Sequence, residues 1–283
     1  GYHKAADYLG PAPKSRFDLP YVIAEASVAP KRQHGPWAAG YAQAGMAIHD
    51  ADTLLAITTL DRACLSAFAG AVKVQPLPPS LDPARFAFSA PKRDERRRSI
   101  AQKLQLPQDC PWLMAVGMMR SGDKLASYRR LGEVLQQCSD SHWHMIVVGD
   151  GPELAAVKAT FEPVLTRTSF AGQLEATTLA DFYSASDLYL WPAVNEAYGM
   201  ALLEAQAAGL PVLSVNTRGV PDIVQHRVTG WLTEDDSASS LATALQHLLQ
   251  NPGIRGDMSR AAQTRVARHL SMTAAQERLA AVF

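Results

Sequence analysis

The stretch DLYLWPAVNEAYGMALLEAQAAGLPVL, residues 187–213, contains the pattern that decides the fold. Residues 187–193 form an apolar run typical of a buried strand, and residues 198–209 have the composition of a helix that ends at Gly209. A second apolar run, residues 211–216, follows immediately. The stretch therefore predicts a strand, a loop, a helix and a further strand, which is the repeating unit of a parallel sheet.

The same alternation extends towards the amino terminus. Helical patterns separate earlier apolar runs, which we predict as strands at 111–118, 142–151 and 168–172. A shorter series precedes them, with strands predicted at 19–27, 53–59 and 72–78 and helices at 37–51 and 61–70. Proline-rich residues 76–91 lack apolar periodicity and predict a linker between two domains. The whole pattern predicts an α/β protein whose parallel sheets are covered by helices.

The composition is that of an ordinary globular protein. With 283 residues and 47% hydrophobic content, the chain can bury sizeable cores in one large or two smaller domains. Lysine plus arginine and aspartate plus glutamate each number 27, so no net charge favours nucleic acid as a partner. The densest charge run, KRDERRR at 92–98, mixes signs and predicts a solvent-facing helix surface, with contact to an anionic membrane surface as the alternative.

The cysteines and the hydropathy pattern indicate a reducing compartment. Cys64, Cys110 and Cys138 are few and far apart, which argues against a disulfide framework or a zinc site and favours small core residues. No run approaches the roughly 18 apolar residues of a membrane-spanning helix, and residues 1–15 lack the apolar core of a secretory signal. The expected location is the cytoplasm.

Ligands of open parallel sheets bind beyond the carboxyl ends of the strands. After the strand at 111–118, Arg120 and Lys124 flank a Ser-Gly-Asp turn, and two cations there suit a pyrophosphate. A pair of solvent-facing charges is the alternative. The Gly-Asp-Gly-Pro turn at 149–152 permits close backbone approach, which is a weak signal by itself.

Two glutamates stand eight positions apart, Glu196 in the loop after the strand and Glu204 inside the predicted helix. Eight helical residues rise about 12 Å, whereas the carboxylates of glycosidases lie roughly 5 to 9.5 Å apart. The spacing disfavours an acid and nucleophile pair. Eight residues are a little over two helical turns, so the two carboxylates can share a face and grip one extended ligand at two points. Alternatively, Glu196 complements the helix dipole and Glu204 is solvated, although a charge in so apolar a stretch needs a partner.

The start of this predicted helix has the features of an anion site. The amides of Tyr198, Gly199 and Met200 precede or begin the helix, and the helix dipole favours negative charge there. Gly199 lacks the side chain that would keep a phosphate away.

In order along the chain, these motifs resemble a known family. Arg120 and Lys124, then GDGP, FAGQL, the opening stretch, RGVPDIV and VTGWL resemble the nucleotide-sugar domain of retaining glycosyltransferases of family 4, which have the GT-B architecture. The pattern of two glutamates separated by seven residues, with an internal glycine, is specific in this context. The resemblance covers about residues 76–283.

The resemblance implies a GT-B-like α/β fold. One complete Rossmann-like nucleotide-sugar domain with a parallel sheet is expected at 86–270, and a partial amino-terminal Rossmann-like domain on the acceptor side at 1–85. Residues 271–283 would form a tail helix that crosses back to the amino-terminal domain. Relatives have more strand and helix units before the linker, so we expect either a fragment of a longer protein or a naturally shortened form.

The resemblance also implies roles for the basic residues and the helix start. Arg120 and Lys124 would bind the diphosphate, and the amides around Tyr198, Gly199 and Met200 would meet its distal phosphate. The positive charges would stabilise the negative charge that develops on the leaving group.

The remaining roles concern the sugar, the nucleoside and the acceptor. Glu196 would hold a hydroxyl of the donor sugar, and Glu204 would accept hydrogen bonds from the ribose hydroxyls. Gln173 and Leu174 would lie against the base. His3 is a weaker candidate for the acceptor side, since a histidine near a chain end is commonly exposed and idle.

The activity that the resemblance implies is transfer of a sugar from a UDP- or GDP-linked donor to a saccharide or lipid-linked acceptor, in polysaccharide or lipopolysaccharide synthesis. Configuration would be retained, no cofactor or metal would be needed, and the leaving diphosphate would take the acceptor's proton. Two alternatives stay open: a nucleotide-sugar-binding module without transferase activity, and an epimerase or phosphorylase of the same fold. Peripheral contact with the inner face of the membrane and the oligomeric state also stay open.

Overall fold

The computed structural model describes residues 4–86 and 90–282, which form two compact units. The first unit comprises Gly1–Pro79 and Thr273–Phe283, and the second comprises Ser80–Met272. This division does not test the domain boundaries predicted from the sequence, which stay a prediction. In the described part of the chain, no helix is long and apolar enough to cross a lipid bilayer.

The first unit contains a small parallel sheet. Its strands are β1 (Val22–Ala24), β2 (Thr53–Ala56) and β3 (Val74–Pro76), in the order β1-β2-β3. The helices that accompany them are α1 (Pro11–Phe17), α2 (Ala38–Asp50) and α3 (Thr59–Ala69). Ile48, Leu54 and Leu65, from α2, β2 and α3, are almost fully buried in a core between sheet and helices. The three predicted strands are present, but they are shorter than their apolar runs.

The second unit contains a six-stranded parallel sheet in the order β6-β5-β4-β7-β8-β9. Its strands are β4 (Trp112–Val116), β5 (His144–Val148), β6 (Thr168–Gly172), β7 (Leu188–Leu190), β8 (Val212–Val215) and β9 (Gly230–Thr233). The strand β9 was not predicted, because a four-residue segment that begins with glycine is too short to show a strand pattern.

Helices connect these strands and continue to the end of the chain. Those of the second unit are α4 (Ala90–Leu104), α5 (Asp123–Gln137), α6 (Leu154–Thr160), α7 (Ala176–Ala185), α8 (Met200–Ala207), α9 (Val220–Ile223), α10 (Ala238–Gln250) and α11 (Pro252–His269). The last helix, α12 (Met272–Ala280), belongs to the first unit except for its first residue. The central strands β5, β7 and β8 are buried at every position, without alternation. Such strands need helices on both faces, so the unit is a three-layered α/β domain.

The strand order reverses direction between β4 and β7. From β4 the chain adds β5 and β6 on one side, and it then returns to the other side of β4 to add β7, β8 and β9. The loops that follow β4 and β7 therefore leave the sheet towards opposite sides. In open parallel sheets this arrangement creates the crevice, beyond the carboxyl ends of the strands, in which ligands bind.

The charge run of α4, predicted as a solvent-facing surface, is partly drawn into the domain. Arg93 and Arg97 both donate to the carboxylate of Asp187, at 2.7 and 2.9 Å. Arg97 also donates to the carbonyl oxygen of Ala185 at 2.7 Å, and its guanidinium carbon lies 4.0 Å from a ring centroid of Trp112. The solvated interpretation is wrong for these two arginines, because the acceptors that precede β7 hold them against the core.

We expect Arg97→Met to lower the free energy of unfolding by about 2 kcal/mol. The Arg97 side chain is only 14% exposed, and its removal takes one partner from Asp187 and the donors from the carbonyl oxygens of Ala185 and Cys110. Urea unfolding would measure the change. Arg98→Met, at an exposed position of the same helix, is the matched control. Equal urea midpoints for the two variants would contradict a structural role for Arg97.

Candidate functional site

An ion pair stands at the point where the strand order reverses. Lys124, the second residue of α5, follows β4, and Glu196 lies in the loop after β7. The Lys124 Nζ is 2.6 Å from Glu196 Oε2, and the two side chains are only 20% and 17% exposed. Two residues predicted to act on the diphosphate and on the sugar are therefore brought into direct contact, although they are 72 positions apart in the sequence.

The loop that carries Glu196 has an unusual backbone. Ala193 and Asn195 have φ angles of 54° and 55°, a left-handed conformation that costs an alanine about 1 to 2 kcal/mol. The helix α5 holds this loop in place: Ser127 Oγ accepts from the Val194 amide at 3.0 Å, and the Asn195 side-chain amide donates to Asp123 at 2.8 Å. The same helix thus supplies Lys124 and fixes the loop opposite it. Backbone strain of this kind is typical of functional loops that the surrounding structure constrains.

Trp191 forms an apolar wall beside the ion pair. Its indole nitrogen donates to Glu196 Oε2 at 3.4 Å, and the Lys124 ammonium lies 5.3 Å from a ring centroid of the same indole. The buried Tyr128 packs edge-on against Trp191 with ring centroids 5.0 Å apart, and its hydroxyl donates to the Gly117 carbonyl oxygen. Our sequence interpretation missed Trp191. The available signal was an aromatic residue directly between a strand and the proline that begins the loop of Glu196.

Glu204 has the partner that its apolar surroundings require. The hydroxyl of Tyr183 donates to Glu204 Oε2 at 2.9 Å, and this tyrosine, on α7, is fully buried. Burial raises the pKa of the Glu204 carboxyl above its ordinary range; the hydrogen bond from Tyr183 and the charge of Arg85 oppose that rise. A carboxylate with one oxygen held by Tyr183 has its second oxygen available to accept hydrogen bonds from a ligand.

The charges of Glu196 and Glu204 both affect the pKa of the same residue, Tyr189. Burial raises the pKa of Tyr189 well above its ordinary value, and the charges of Glu204 and Glu196 both add to this rise. Both carboxylates therefore lie within electrostatic reach of one ring on β7. The separation of about 12 Å estimated from a continuous helix does not apply, because only Glu204 lies in α8 and Glu196 precedes it in a loop.

The helix start differs from its prediction. α8 begins at Met200, not at Tyr198, and Gly199 is the residue before the first turn. Gly199 has a φ of 79°, and a Cβ there would come within 2.6 Å of the Leu202 side chain. Glycine is therefore required by the backbone and by local packing, and the absence of a side chain also leaves the adjoining amides open to approach by a phosphate.

The other predicted residues occupy separate places. Arg120 is exposed in the loop after β4, where its carbonyl oxygen accepts from the Leu125 amide at 3.1 Å. Gln173 is exposed and Leu174 half-buried in the loop after β6, at the same edge of the sheet but two strands away from β4. The predicted acceptor-side residue His3 lies outside the described residues.

The glycines after β5 serve the packing of neighbouring loops. A Cβ on Gly149 would lie 2.0 Å from the Gly117 carbonyl oxygen, and one on Gly151 would lie 2.3 Å from the Met119 carbonyl oxygen. The Met119 amide in turn donates to the Asp150 carbonyl oxygen at 2.9 Å. This close approach joins the loop after β5 to the loop that carries Arg120 and leads into α5, so it positions the predicted diphosphate residues Arg120 and Lys124.

The profile of the family "Glycosyl transferases group 1" matches residues 97–265, which is more than half of the chain. The chain belongs to this family. The matched region includes every predicted site residue except His3, and it spans the sheet from β4 to β9.

Similar curated proteins are themselves glycosyltransferases and related synthases. The D-inositol 3-phosphate glycosyltransferase of Actinosynnema mirum is 31% identical over 222 residues, 74% of this chain and 51% of that protein. Its counterpart in Rhodococcus jostii (strain RHA1) is 33% identical over 132 residues, 44% of this chain and 29% of that protein. The N-acetyl-alpha-D-glucosaminyl L-malate synthase of Bacillus anthracis is 30% identical over 124 residues, 43% and 32% of the two chains. This group 1 chain thus spans between 29% and 51% of the length of these relatives.

Solved structures share the fold. Anabaena Alr3699/HepE in complex with UDP superimposes with a TM-score of 0.80 at 17% identity, over 96% of this chain and 74% of that chain. WaaG, a glycosyltransferase involved in lipopolysaccharide biosynthesis, has a TM-score of 0.69 at 24% identity, over 90% and 74%. The prediction of a GT-B-like α/β fold with Rossmann-like parallel sheets is confirmed by these similarities.

Proposed function

We propose that this chain carries the donor-binding and catalytic part of a retaining glycosyltransferase of family 4 that uses a nucleotide-diphosphate sugar. The observation that carries the proposal is the ion pair of Lys124 and Glu196, held at the switch point of the sheet by α5 and the strained loop after β7. Lysine has three donors, so Lys124 can keep Glu196 as a partner while it donates to a phosphate. The pair therefore links the leaving group to the sugar.

The proposed reaction breaks the bond between the anomeric carbon and the diphosphate oxygen, which keeps the electron pair. Lys124 and Arg120 stabilise the charge on that oxygen by electrostatic preorganisation. The acceptor oxygen bonds to the same face of the anomeric carbon, and its proton passes to the leaving diphosphate, so configuration is retained. Glu196 orients the sugar by accepting from a hydroxyl. We propose that this transfer needs no bound metal, which activity in the presence of a chelator would test.

Nucleoside recognition is assigned to the second carboxylate and to the loop after β6. Glu204, held by Tyr183 at 2.9 Å, accepts from the ribose hydroxyls, and Gln173 and Leu174 lie against the base. UDP is the favoured nucleotide, because Alr3699/HepE has been solved with UDP and with UDP-glucose. Saccharide and lipid-linked acceptors are both proposed, since similar proteins include a glycosyltransferase involved in lipopolysaccharide biosynthesis and D-inositol 3-phosphate glycosyltransferases. We place the reaction in the cytoplasm at the inner face of the membrane.

Titration of the 283-residue chain with UDP, UMP and GDP tests the binding part of this proposal. We expect UDP to bind roughly tenfold or more tightly than UMP, because its second phosphate adds charge-assisted contacts to Lys124 and Arg120. Calorimetry would measure the affinities. If none of the three nucleotides binds, the proposal is wrong.

Release of UDP from UDP-glucose, with and without saccharide acceptors, tests the catalytic part. Acceptor-dependent release that persists in a chelator supports a metal-independent transferase. Tight UDP binding without any release would instead identify a nucleotide-sugar-binding module, and conversion of the donor without an acceptor would indicate an epimerase.

A further inference from the structure

We propose that Asp109, Cys110 and His142 form a binding site for zinc at the amino-terminal edge of the six-stranded sheet. The Cys110 sulfur, a carboxylate oxygen of Asp109 and an imidazole nitrogen of His142 all lie within 4.8 Å of one another. The three side chains come from two turns that are 32 residues apart in the sequence, so the fold brings them together. The edge is opposite to the one that carries Lys124 and Glu196.

The strand register explains why these side chains meet. In the parallel pair of β4 and β5, Trp112 is the partner of His144. Cys110 and His142 each stand two positions before those partners, so the register extended by one pleat places their side chains next to each other on one face. Asp109 adds its carboxylate from the neighbouring position. The juxtaposition therefore follows from the pairing of β4 with β5.

The backbone of both turns is fixed by arginines. The Arg97 guanidinium donates to the Cys110 carbonyl oxygen at 2.7 Å. On the other turn, Arg167 donates to the carbonyl oxygens of Ser139 and Ser141, the first at 2.6 Å. Because the backbone of both turns is already ordered, the ligand residues lose less conformational freedom when a metal binds, and the entropic cost of binding is low.

The geometry leaves only small adjustments for a metal to make. Zinc bonds of about 2.0 to 2.3 Å in a tetrahedron bring ligand atoms to roughly 3.3 to 3.6 Å from each other. Asp109 and His142 are exposed, so rotation of their side chains can shorten separations of up to 4.8 Å by the roughly 1.2 to 1.5 Å that is needed at most, whereas Cys110 is buried and stays in place. Three protein ligands leave the fourth position to a water molecule.

The donor set selects the class of metal. Sulfur and imidazole nitrogen are ligands for zinc and similar transition metals, whereas magnesium and calcium prefer oxygen. The metal displaces the proton of the Cys110 thiol, which leaves to solvent as the metal–sulfur bond forms. The sequence-based argument against zinc considered cysteines alone, and this site needs only one of them.

A zinc ion here would link the turns that precede β4 and β5 and would stabilise the folded domain without touching the donor site. In chelator-treated protein, we expect zinc to raise the melting temperature and magnesium to leave it unchanged. Cobalt, the spectroscopic substitute for zinc, is expected to give a thiolate-to-metal charge-transfer band in the near ultraviolet. UDP affinity should be the same with and without zinc.

Two exposed ligands provide variants that keep the fold. His142→Ala and Asp109→Asn are each expected to lower zinc affinity by roughly tenfold or more, since even outer-shell changes at metal sites have effects of that size. Their melting temperatures without metal should equal that of the unmodified chain. His269→Ala, at an exposed histidine outside the cluster, is the matched control and should bind zinc normally. Absence of the cobalt–thiolate band, or unchanged zinc affinity in His142→Ala, overturns the proposal.

Discussion

Lys124→Met is expected to lower the rate of sugar transfer by roughly 100- to 1,000-fold, the loss typical of removing one preorganised charge-stabilising group. The variant removes a cation that lies 2.6 Å from Glu196 and that we assign to the leaving diphosphate. It also leaves the Glu196 carboxylate, whose side chain is only 17% exposed, without the lysine that it pairs with. UDP affinity should fall together with turnover, by roughly tenfold or more. Initial rates with a UDP-sugar and calorimetry with UDP measure both effects.

A control variant and a double variant distinguish loss of the proposed site from a general effect of removing a lysine. Lys103→Met removes an exposed lysine from α4 and should leave both quantities unchanged. Combining Lys124→Met with Glu196→Gln should cost little more than either change alone, because groups that act as a unit are non-additive. A Lys124→Met protein with normal UDP affinity would remove the basis for the proposed diphosphate site.

Glu204→Gln is expected to weaken UDP binding by roughly 10- to 100-fold, because ribose hydroxyls would lose a charged acceptor. The same change should not lower the stability of the free protein at neutral pH. Burial raises the pKa of the Glu204 carboxyl above its ordinary value of 4.5. A raised pKa in the folded state means that stability is fully present below the unfolded value and is lost as pH rises through the folded value. Glutamine is uncharged at every pH, so the variant does not lose stability in this way as the pH rises.

Thermal unfolding between pH 4 and 8, with and without UDP, measures both the UDP affinity and the pH dependence of stability. The decline in stability as the pH is raised from about 4.5 should be smaller in Glu204→Gln than in the unmodified chain. Tyr183→Phe keeps the charge and removes its hydrogen bond, so it should lower both stability and UDP affinity. Glu175→Gln, at an exposed site, is the control for the loss of one negative charge. A Glu204→Gln protein that binds UDP normally would show that the ribose is held elsewhere.

The alternation of apolar runs was sufficient to predict most strands of the second unit. β4, β5, β7 and β8 are buried at nearly every position, so each appears in the sequence as a continuous apolar run. β9 was not predicted, because it is short and begins with a glycine, and its burial depends on the neighbouring strand β8 and not on its own composition. The run in α4 misled for a similar reason: the acceptors that draw Arg93 and Arg97 inward belong to residues about 90 positions further along the chain.

The candidate site was predictable residue by residue but not as an arrangement. Positions after strands identified Lys124 and Glu196, and the apolar context of Glu204 indicated a partner. The partner itself, Tyr183, and the wall formed by Trp191 could not be predicted, because their side chains meet the carboxylates only after β7 and its flanking helices pack together.

By itself, the sequence determined an α/β chain with parallel sheets, the positions of the loops that we propose to bind the ligand, and its resemblance to a glycosyltransferase family. These features are local: strand burial, helix ends and motif spacing are recorded in neighbouring residues. Only the tertiary structure decided that β4 and β7 lie side by side, that Lys124 and Glu196 form an ion pair there, and that Cys110 meets His142 at the opposite edge. Strand order and register arise from packing between distant segments, and the pairing of functional groups follows from that packing.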